Sequence, residues 1–437
     1  MKIEFMPTTT KGKASLRQPS TSISTTKPTM MRRIMLHPWA KAFFILGILL
    51  ALQSAWSLLD GYRFLRLVRR SWRRPPGNYQ PSAAVIIPCK GLNPGFELNV
   101  TRFLAQDYPA YQLIFVVAAE GDPAYRYLAQ RLKEPPGRAA KPMLIAAGQS
   151  SARGEKVNNL LHGVRAVDPG TEVLVFADAD ATPGEAWLRS LVAPLEDEGV
   201  TVSTGFRWYL PGASFASRLR AAWDTSIATM LGEHDHNFAW GGSMAIRTAD
   251  FRRLEIANRW WASTVSDDYT LTRAVREAGG RIRFEARCLL KSCEESSLRD
   301  FLRWANRQVI ITRVYSGRLW WAGLASYSLY CGTFLLGLAL LALDASAAER
   351  SAIAGMLLGT VALGMAKARH RAIVAREIFP EERSRLERGA SCYWKLAPLV
   401  PWVMFMNFVI SGFAQRIEWH GVHYELCSRD EVRVLKD

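Results

Sequence analysis

The chain has no cysteine pair at C-x-x-C spacing and no Cys/His cluster of the zinc type. Its six cysteines (Cys89, Cys288, Cys293, Cys331, Cys392 and Cys427) therefore read as reduced thiols in a reducing compartment. Acids are also scarce. Against 56 Lys and Arg stand 39 Asp and Glu, a formal charge of +17, so the expected partner is anionic: nucleic acid, an acidic membrane surface or a phosphorylated small molecule. A hydrophobic content of 49% with 15 Trp excludes disorder for most of the 437 residues.

Where charge is missing, membrane segments are expected. Residues 1–36 are rich in Ser, Thr, Lys and Arg, with Glu4 the only acid, and read as disordered. An uncharged run from Ala42 to Leu59 marks 37–60 as a membrane anchor. Arg63, Arg66, Arg69, Arg70, Arg73 and Arg74 follow it, against Lys27, Arg32, Arg33 and Lys41 before it, which orients the downstream domain to the cytoplasm. The same arginines suit anionic headgroups, and their clustering beside spans argues against nucleic acid as the partner. Residues 308–414 form a second membrane region of two or three spans, from the runs 319–343, 351–366 and 396–414, with a basic loop from Lys367 to Arg388 before the last. A tail covers 415–437.

Between these regions, 81–307 reads as a cytoplasmic α/β domain with a doubly wound, mostly parallel sheet. The runs 83–91, 111–119 and 172–180 are apolar throughout, as for strands covered on both faces, with a helix at 157–167 between the second and third. Ligands in such sheets sit at the carboxyl ends of strands. Lys90, then Glu120 and Asp122, then Asp178 and Asp180 stand at those three ends.

Paired carboxylates at a strand end repel unless a cation joins them, and Asp178 and Asp180 suit a hard divalent ion, Mg²⁺ or Mn²⁺, bridging a diphosphate. In "STVSDDYTLTRAVREAG" (263–279), Ser266 or the acids cap a helix that ends at Gly279 and Gly280. Capping accounts for one acid and leaves a spare of Asp267 and Asp268. Arg299, Arg303 and Arg307 form a helical stripe fit for phosphate or headgroups, with Trp304 as an aromatic wall. His234 and His236, in "GEHDHNF", are a short motif read more readily as a surface feature than as metal ligands or acceptor contacts.

The stretches "PCKGLNPG", "EGDPA", "EKVNNL", "FADADA", "WGGSMAIR", "SDDYTL" and "LRW", in order from residue 88 to 304, resemble a membrane-bound family 2 glycosyltransferase. The nearest resemblance is to the ceramide glucosyltransferase branch and its bacterial relatives, including hopanoid-associated enzymes. It implies a GT-A-type fold, a nucleotide-sugar donor, a membrane lipid acceptor, and residence in a bacterial inner membrane. Carried over by position, Lys90, Glu120 or Asp122, Lys156 and Asp178 become donor contacts, Asp178 and Asp180 metal ligands, and Asp268, beside Asp267, the base. Arg303 and Trp304 match the end of the family's (Q/R)xxRW pattern, whose first position is here Asp300. The tail "RIEWHGVHYEL" (416–426) resembles a motif that follows the last span. Alternation over four spans would place it opposite the catalytic domain, whereas a role near the donor requires the same side. Rival expectations are a processive polysaccharide synthase and a non-catalytic membrane scaffold.

Overall fold

The computed structural model describes residues 26–134, 141–343 and 346–435. Most of the segment expected to be disordered, 1–25, lies outside these residues, while 26–36 already belong to a helix. That helix, α1 (Thr26–Arg73), carries Pro38 inside it and is apolar enough from Pro38 onward to cross a membrane.

The soluble part begins with β1 (Ala83–Pro88), α2 (Phe96–Leu104), β2 (Tyr111–Val117), α3 (Pro123–Arg131) and β3 (Lys141–Ala146). It continues through α4 (Glu155–Arg165), β4 (Val173–Ala177), α5 (Trp187–Val192), β5 (Val200–Tyr209) and α6 (Phe215–Ala228). It closes with β6 (Ser243–Arg247), α7 (Thr248–Arg253), α8 (Asp267–Glu277), β7 (Arg281–Ser292) and α9 (Leu298–Tyr315). Seven strands form one sheet in the order β3-β2-β1-β4-β6-β5-β7. Only β6 runs against its neighbours β4 and β5, so the doubly wound, mostly parallel sheet expected from the sequence is present.

One expectation needs correction. The strand that leads to Asp178 is the fourth, because β3 lies between it and β2. β3 is an edge strand whose Pro142 offers no N–H to the ladder, which a sheet edge tolerates and which blurs the strand pattern.

The strands are apolar because both faces are covered: every residue of β2 and β4 is buried. On one face α4 turns Val157, Leu160 and Leu161 inward, and Gly163 lets its backbone approach the sheet. A Cβ at 163 would stand 2.4 Å from Ile86 Cγ2 and 3.2 Å from Val116 Cγ2.

Beyond the sheet come α10 (Gly317–Leu341), α11 (Ala347–Ile378), α12 (Arg383–Gly389), α13 (Cys392–Lys395) and α14 (Val400–Phe413). α1, α10 and α11 are long and apolar enough to span a bilayer. Two expectations change here. Lys367, Arg369, Arg371 and Arg376 are not in a loop but continue α11, which reaches Ile378. The expected span at 396–414 becomes the 14-residue α14, shorter than the ~20 residues a crossing needs. Pro398 lies just before it and Pro401 occupies its first turn, which stops the helix from extending upstream. α14 packs instead through Val400, Met404 and Phe408 on α6, α9 and α10.

The tail folds as a three-stranded sheet of β8 (Arg416–Trp419), β9 (Val422–Leu426) and β10 (Val432–Leu435). Its Ile417, Tyr424, Leu426 and Val432 bury against Val265, Ile310, Ile311 and Tyr315. The tail therefore lies on the same side as the seven-stranded sheet. The described residues hold three helices of spanning length, α14 not among them, rather than the four on which the conflict rested.

Replacing Gly163 by Val should lower stability by about 1–3 kcal/mol through overpacking of α4 on β1 and β2. Thermal melting of the purified chain in detergent measures this, and an unchanged melting temperature would contradict the close approach.

Candidate active site

The crevice opens where β1, β2 and β4 end and where the antiparallel β6 begins. Asp178 follows β4 directly, and its amide donates to Gly242 O at 3.3 Å, in the turn that enters β6. Two glycines in that turn are required by space. A Cβ on Gly241 would lie 2.1 Å from Asp267 Oδ2, and one on Gly242 would lie 2.7 Å from Asp178 Oδ2.

The question of what joins the paired aspartates has a direct answer in the protein itself. Arg207, near the end of β5, donates from Nη2 to Asp178 Oδ2 at 2.9 Å and to Asp180 Oδ1 at 2.6 Å, and from Nη1 to Asp180 Oδ2 at 2.9 Å. Lys156, in the first turn of α4, takes the remaining oxygen, Asp178 Oδ1, at 2.8 Å and reaches Asp267 Oδ2 at 3.2 Å. Burial disfavours the Lys156 ammonium, yet the carboxylates of Asp178, Asp267 and Asp268 outweigh that and raise its pKa. For Asp178, burial likewise opposes charge, but Lys156 and Arg207 hold the carboxyl below the ordinary range.

Ser266 caps α8, its Oγ accepting from Tyr269 N, so the acids beyond the cap stand in the first turn. They diverge from there. Asp267 is 2% exposed and burial pushes its carboxyl up to about 7, against the pull of Lys156. Asp268 remains open to the cavity: its Oδ1 accepts from Ser266 Oγ at 2.6 Å and Tyr269 N at 2.8 Å, its Oδ2 from Gly241 N at 3.3 Å.

These residues line one cavity of ≈ 1040 Å³ that also runs between α1, α10 and α11. A family model described as glycosyl transferase family 21 matches residues 45–432. The chain belongs to that family. It is thus a glycosyltransferase, as the sequence resemblance implied.

Solved structures of other glycosyltransferases are similar to the family 21 chain. One is a mannosyltransferase from Pyrobaculum calidifontis in complex with GDP-Man and Mn²⁺, 15% identical, covering 86% of this chain and 99% of that one with a TM-score of 0.44. Another is a glucosyl-3-phosphoglycerate synthase from Mycobacterium tuberculosis in complex with phosphoglyceric acid, 14% identical, with coverages of 58% and 84% and a TM-score of 0.36.

The other expected site residues divide. Lys90 is in the cavity wall and pairs with Glu155 Oε2 at 3.0 Å. Asp122 is outside it and acts on the backbone: its Oδ1 accepts from Ala124 N at 2.7 Å, capping α3, and from Gly91 N at 2.9 Å, where φ is +61°. It thereby fixes the turn that carries Lys90. Glu120 is exposed and outside the wall. Trp304 is in the wall, 5.7 Å from the Tyr209 ring and 5.2 Å from that of Trp223, and Arg220 lies 4.6 Å over its face. Arg303 points elsewhere, its side chain 50% exposed and 3.6 Å from Glu418. One turn on, Arg307 is the member of the stripe that enters the cavity, 5.0 Å over the Trp419 ring, with burial lowering its pKa to about 10. Asp300, at the first position of the expected (Q/R)xxRW pattern, sits in the first turn of α9, hydrogen-bonded to the capping Ser297. His234 and His236 are exposed, outside the wall, and bonded within their own loop.

Arg207, Arg220, Glu294 and Asp224 also line the cavity and carried no motif in the sequence, and His420, from the tail motif 416–426, joins them. Arg220 binds Glu294 at 2.8 Å, which extends the charge network from β5 onto α6. His420 and Gly421 form the two-residue turn of the β8–β9 hairpin, both at positive φ, the geometry of tight hairpin loops. Tyr424 Oη accepts from Glu155 N at 3.2 Å and anchors the hairpin on the start of α4.

For a divalent ion the donor set is two carboxylates, and no group of three or more His, Cys, Asp or Glu is assembled among the described residues. Mg²⁺ and Mn²⁺ sites completed by substrate phosphates need no more than one or two carboxylates. Asp178 and Asp180 supply that number of carboxylates, and their four oxygens are bonded here by Arg207 and Lys156.

Asp224 is 5% exposed, its Oδ2 lacks a hydrogen-bond partner among the described residues, and burial raises its carboxyl to about 7, opposed by Arg207 and Arg220. The unfolded chain releases this proton from about pH 4 upward while the folded chain retains it to about 7. Folding stability from this group therefore falls as pH rises through that window. Asp224→Asn should gain stability relative to the parent chain between pH 4 and 8, read from paired thermal melts. A constant offset across that range would exclude the raised value.

Proposed function

We propose that this family 21 chain transfers a sugar, with inversion, from a nucleotide-sugar donor of the UDP type to a lipid acceptor resident in the membrane. The observation that carries this reading is the continuity of one cavity from the charged crevice to the faces of three span-length helices. A donor enters from water and an acceptor from the bilayer, and both reach the same space. The bias of arginines toward the C-terminal end of α1 supports a cytoplasmic crevice.

Lys90 and the turn fixed by Asp122 serve the nucleoside side of the donor. Lys156 and Arg307 face the diphosphate and stabilise negative charge as the sugar leaves through an oxocarbenium-like state. Trp304 holds Arg220 against Tyr209 and keeps the basic wall of the crevice in place. A Mg²⁺ or Mn²⁺ held by Asp178 and Asp180 would supply further neutralisation of the departing diphosphate. Asp268 takes the proton of the acceptor hydroxyl that attacks the opposite face of the sugar. Its accessibility, and the burial of Asp267 beneath Gly241, support that division.

Asp268→Asn keeps the size and the Ser266 and Tyr269 contacts at Oδ1 while removing the base. Turnover with a lipid extract should fall about 10²–10⁴-fold, with nucleotide diphosphate binding by calorimetry unchanged. Near-normal transfer by this variant would refute the assignment.

A further inference from the structure

The membrane arm of the cavity is not a simple apolar slot. Ser57 of α1, Ser326 of α10, and Thr360, Lys367 and Arg371 of α11 all line it. Thr360, Lys367 and Arg371 recur at spacings of seven and four, so they share one face of α11, and the cations lie toward its domain end. Ionisable groups on span-length helices are costly and mark function.

Neither cation is paired with a carboxylate among the described residues. Lys367 Nζ donates to Ser57 Oγ. The nearby Asp60 pairs with Arg63 at 3.1 Å. Arg371 is 5% exposed, its Nη1 donates to Ala222 O at a long 3.4 Å, and its buried Nε has no hydrogen-bond partner among the described residues. A buried guanidinium donor without a partner among the described residues is costly, and its planar fork matches a phosphate or carboxylate. The contact with Ala222 on α6 places this donor where α11 meets the soluble domain.

We propose that the membrane arm binds a lipid with an anionic head group, a phosphate or carboxylate, held between Lys367 and Arg371. This rests on the reading above that the arm admits a lipid, and it narrows the class of that lipid.

The test uses the full chain, stripped in neutral detergent and mixed with phosphatidylcholine, phosphatidylglycerol or phosphatidic acid, with retained lipid counted by native mass spectrometry. The parent chain should retain the two anionic lipids over phosphatidylcholine by at least tenfold, and K367Q/R371Q should lose that preference while still melting cooperatively. Equal retention of all three lipids by the parent, or an undiminished preference in the variant, would overturn the proposal. If the double variant does not melt cooperatively, Arg371→Lys takes its place, since it keeps the charge but loses the fork; a fivefold drop supports the proposal and no drop overturns it. A parallel titration with inorganic phosphate separates the sources: thermal stabilisation by phosphate with no lipid retained would identify a free-anion site and overturn the lipid assignment. No turnover is required, so a chain that retains anionic lipid yet transfers no sugar to any lipid would refute the proposed reaction alone.

Discussion

The structure depends on the neutralisation of two aspartates at the end of β4. Four carboxylate oxygens meet two cations, Arg207 from β5 and Lys156 from α4, so strands and helices far apart in sequence converge on one charge cluster. Removing one partner from this half-buried set is destabilising, because the charge left behind is unpaired and only partly solvated. The surrounding residues keep that from happening. Gly241 and Gly242 leave room for Asp267 and Asp178, and the Gly154 amide donates to Thr264 O at 2.9 Å, so α4 starts beside the loop that leads into α8.

The same logic of paired charge joins the soluble part to the helices. Of the six arginines after the first apolar run, Arg63, Arg69 and Arg70 pair with Asp60, Glu377 and Glu233. Arg69 binds Glu377 near the end of α11, with Nη2 at 2.6 Å, and so ties α1 to α11 at the base of the domain. These pairs are partly exposed and individually weak, on the order of 0–1 kcal/mol. Fixing the approach of the helices falls more to packing: Phe64 and Val68 of α1 and Ala372 and Ile378 of α11 share a buried cluster with Trp208 and Tyr209 of β5. The terminal hairpin completes the enclosure, with Trp419, His420 and Tyr424 forming a wall that neither the sheet nor the helices supply.

Much of this was legible in the sequence because it is local. Apolar runs gave β1, β2 and β4, the Ser266 cap and Gly279 bounded α8, and acids at a strand end marked the crevice. What escaped was set by distance or by competing signals. Arg207 meets Asp178 and Asp180 across 29 and 27 residues, and a lone Arg in a strand has no pattern to announce it. Arg303 drew attention through its neighbour Trp304, yet helical rotation faces Arg307 into the cavity instead, a distinction that requires the helix to be docked. The basic run after residue 366 suggested a loop by charge alone, whereas Lys, Arg and Ala are good helix formers and α11 continues through them.

The doublet Asp267–Asp268 illustrates how the fold gives adjacent identical residues different chemistry. Successive residues of a helix point about 100° apart, at 3.6 residues per turn. With α8 docked by Leu271, Ala274 and Val275, both carboxylates border the cavity, but Asp267 is turned inward and buried whereas Asp268 stays partly exposed. The inward one, Asp267, meets Lys156 under Gly241 and loses water, which raises its carboxyl. The outward one is fixed by three donors, one from its own cap and two from backbone amides, without being covered. Capping needs only Ser266, so neither acid is required to start the helix. The inward acid links Lys156 to α8, and the outward one is left with an oriented carboxylate at the point where the crevice turns toward the membrane.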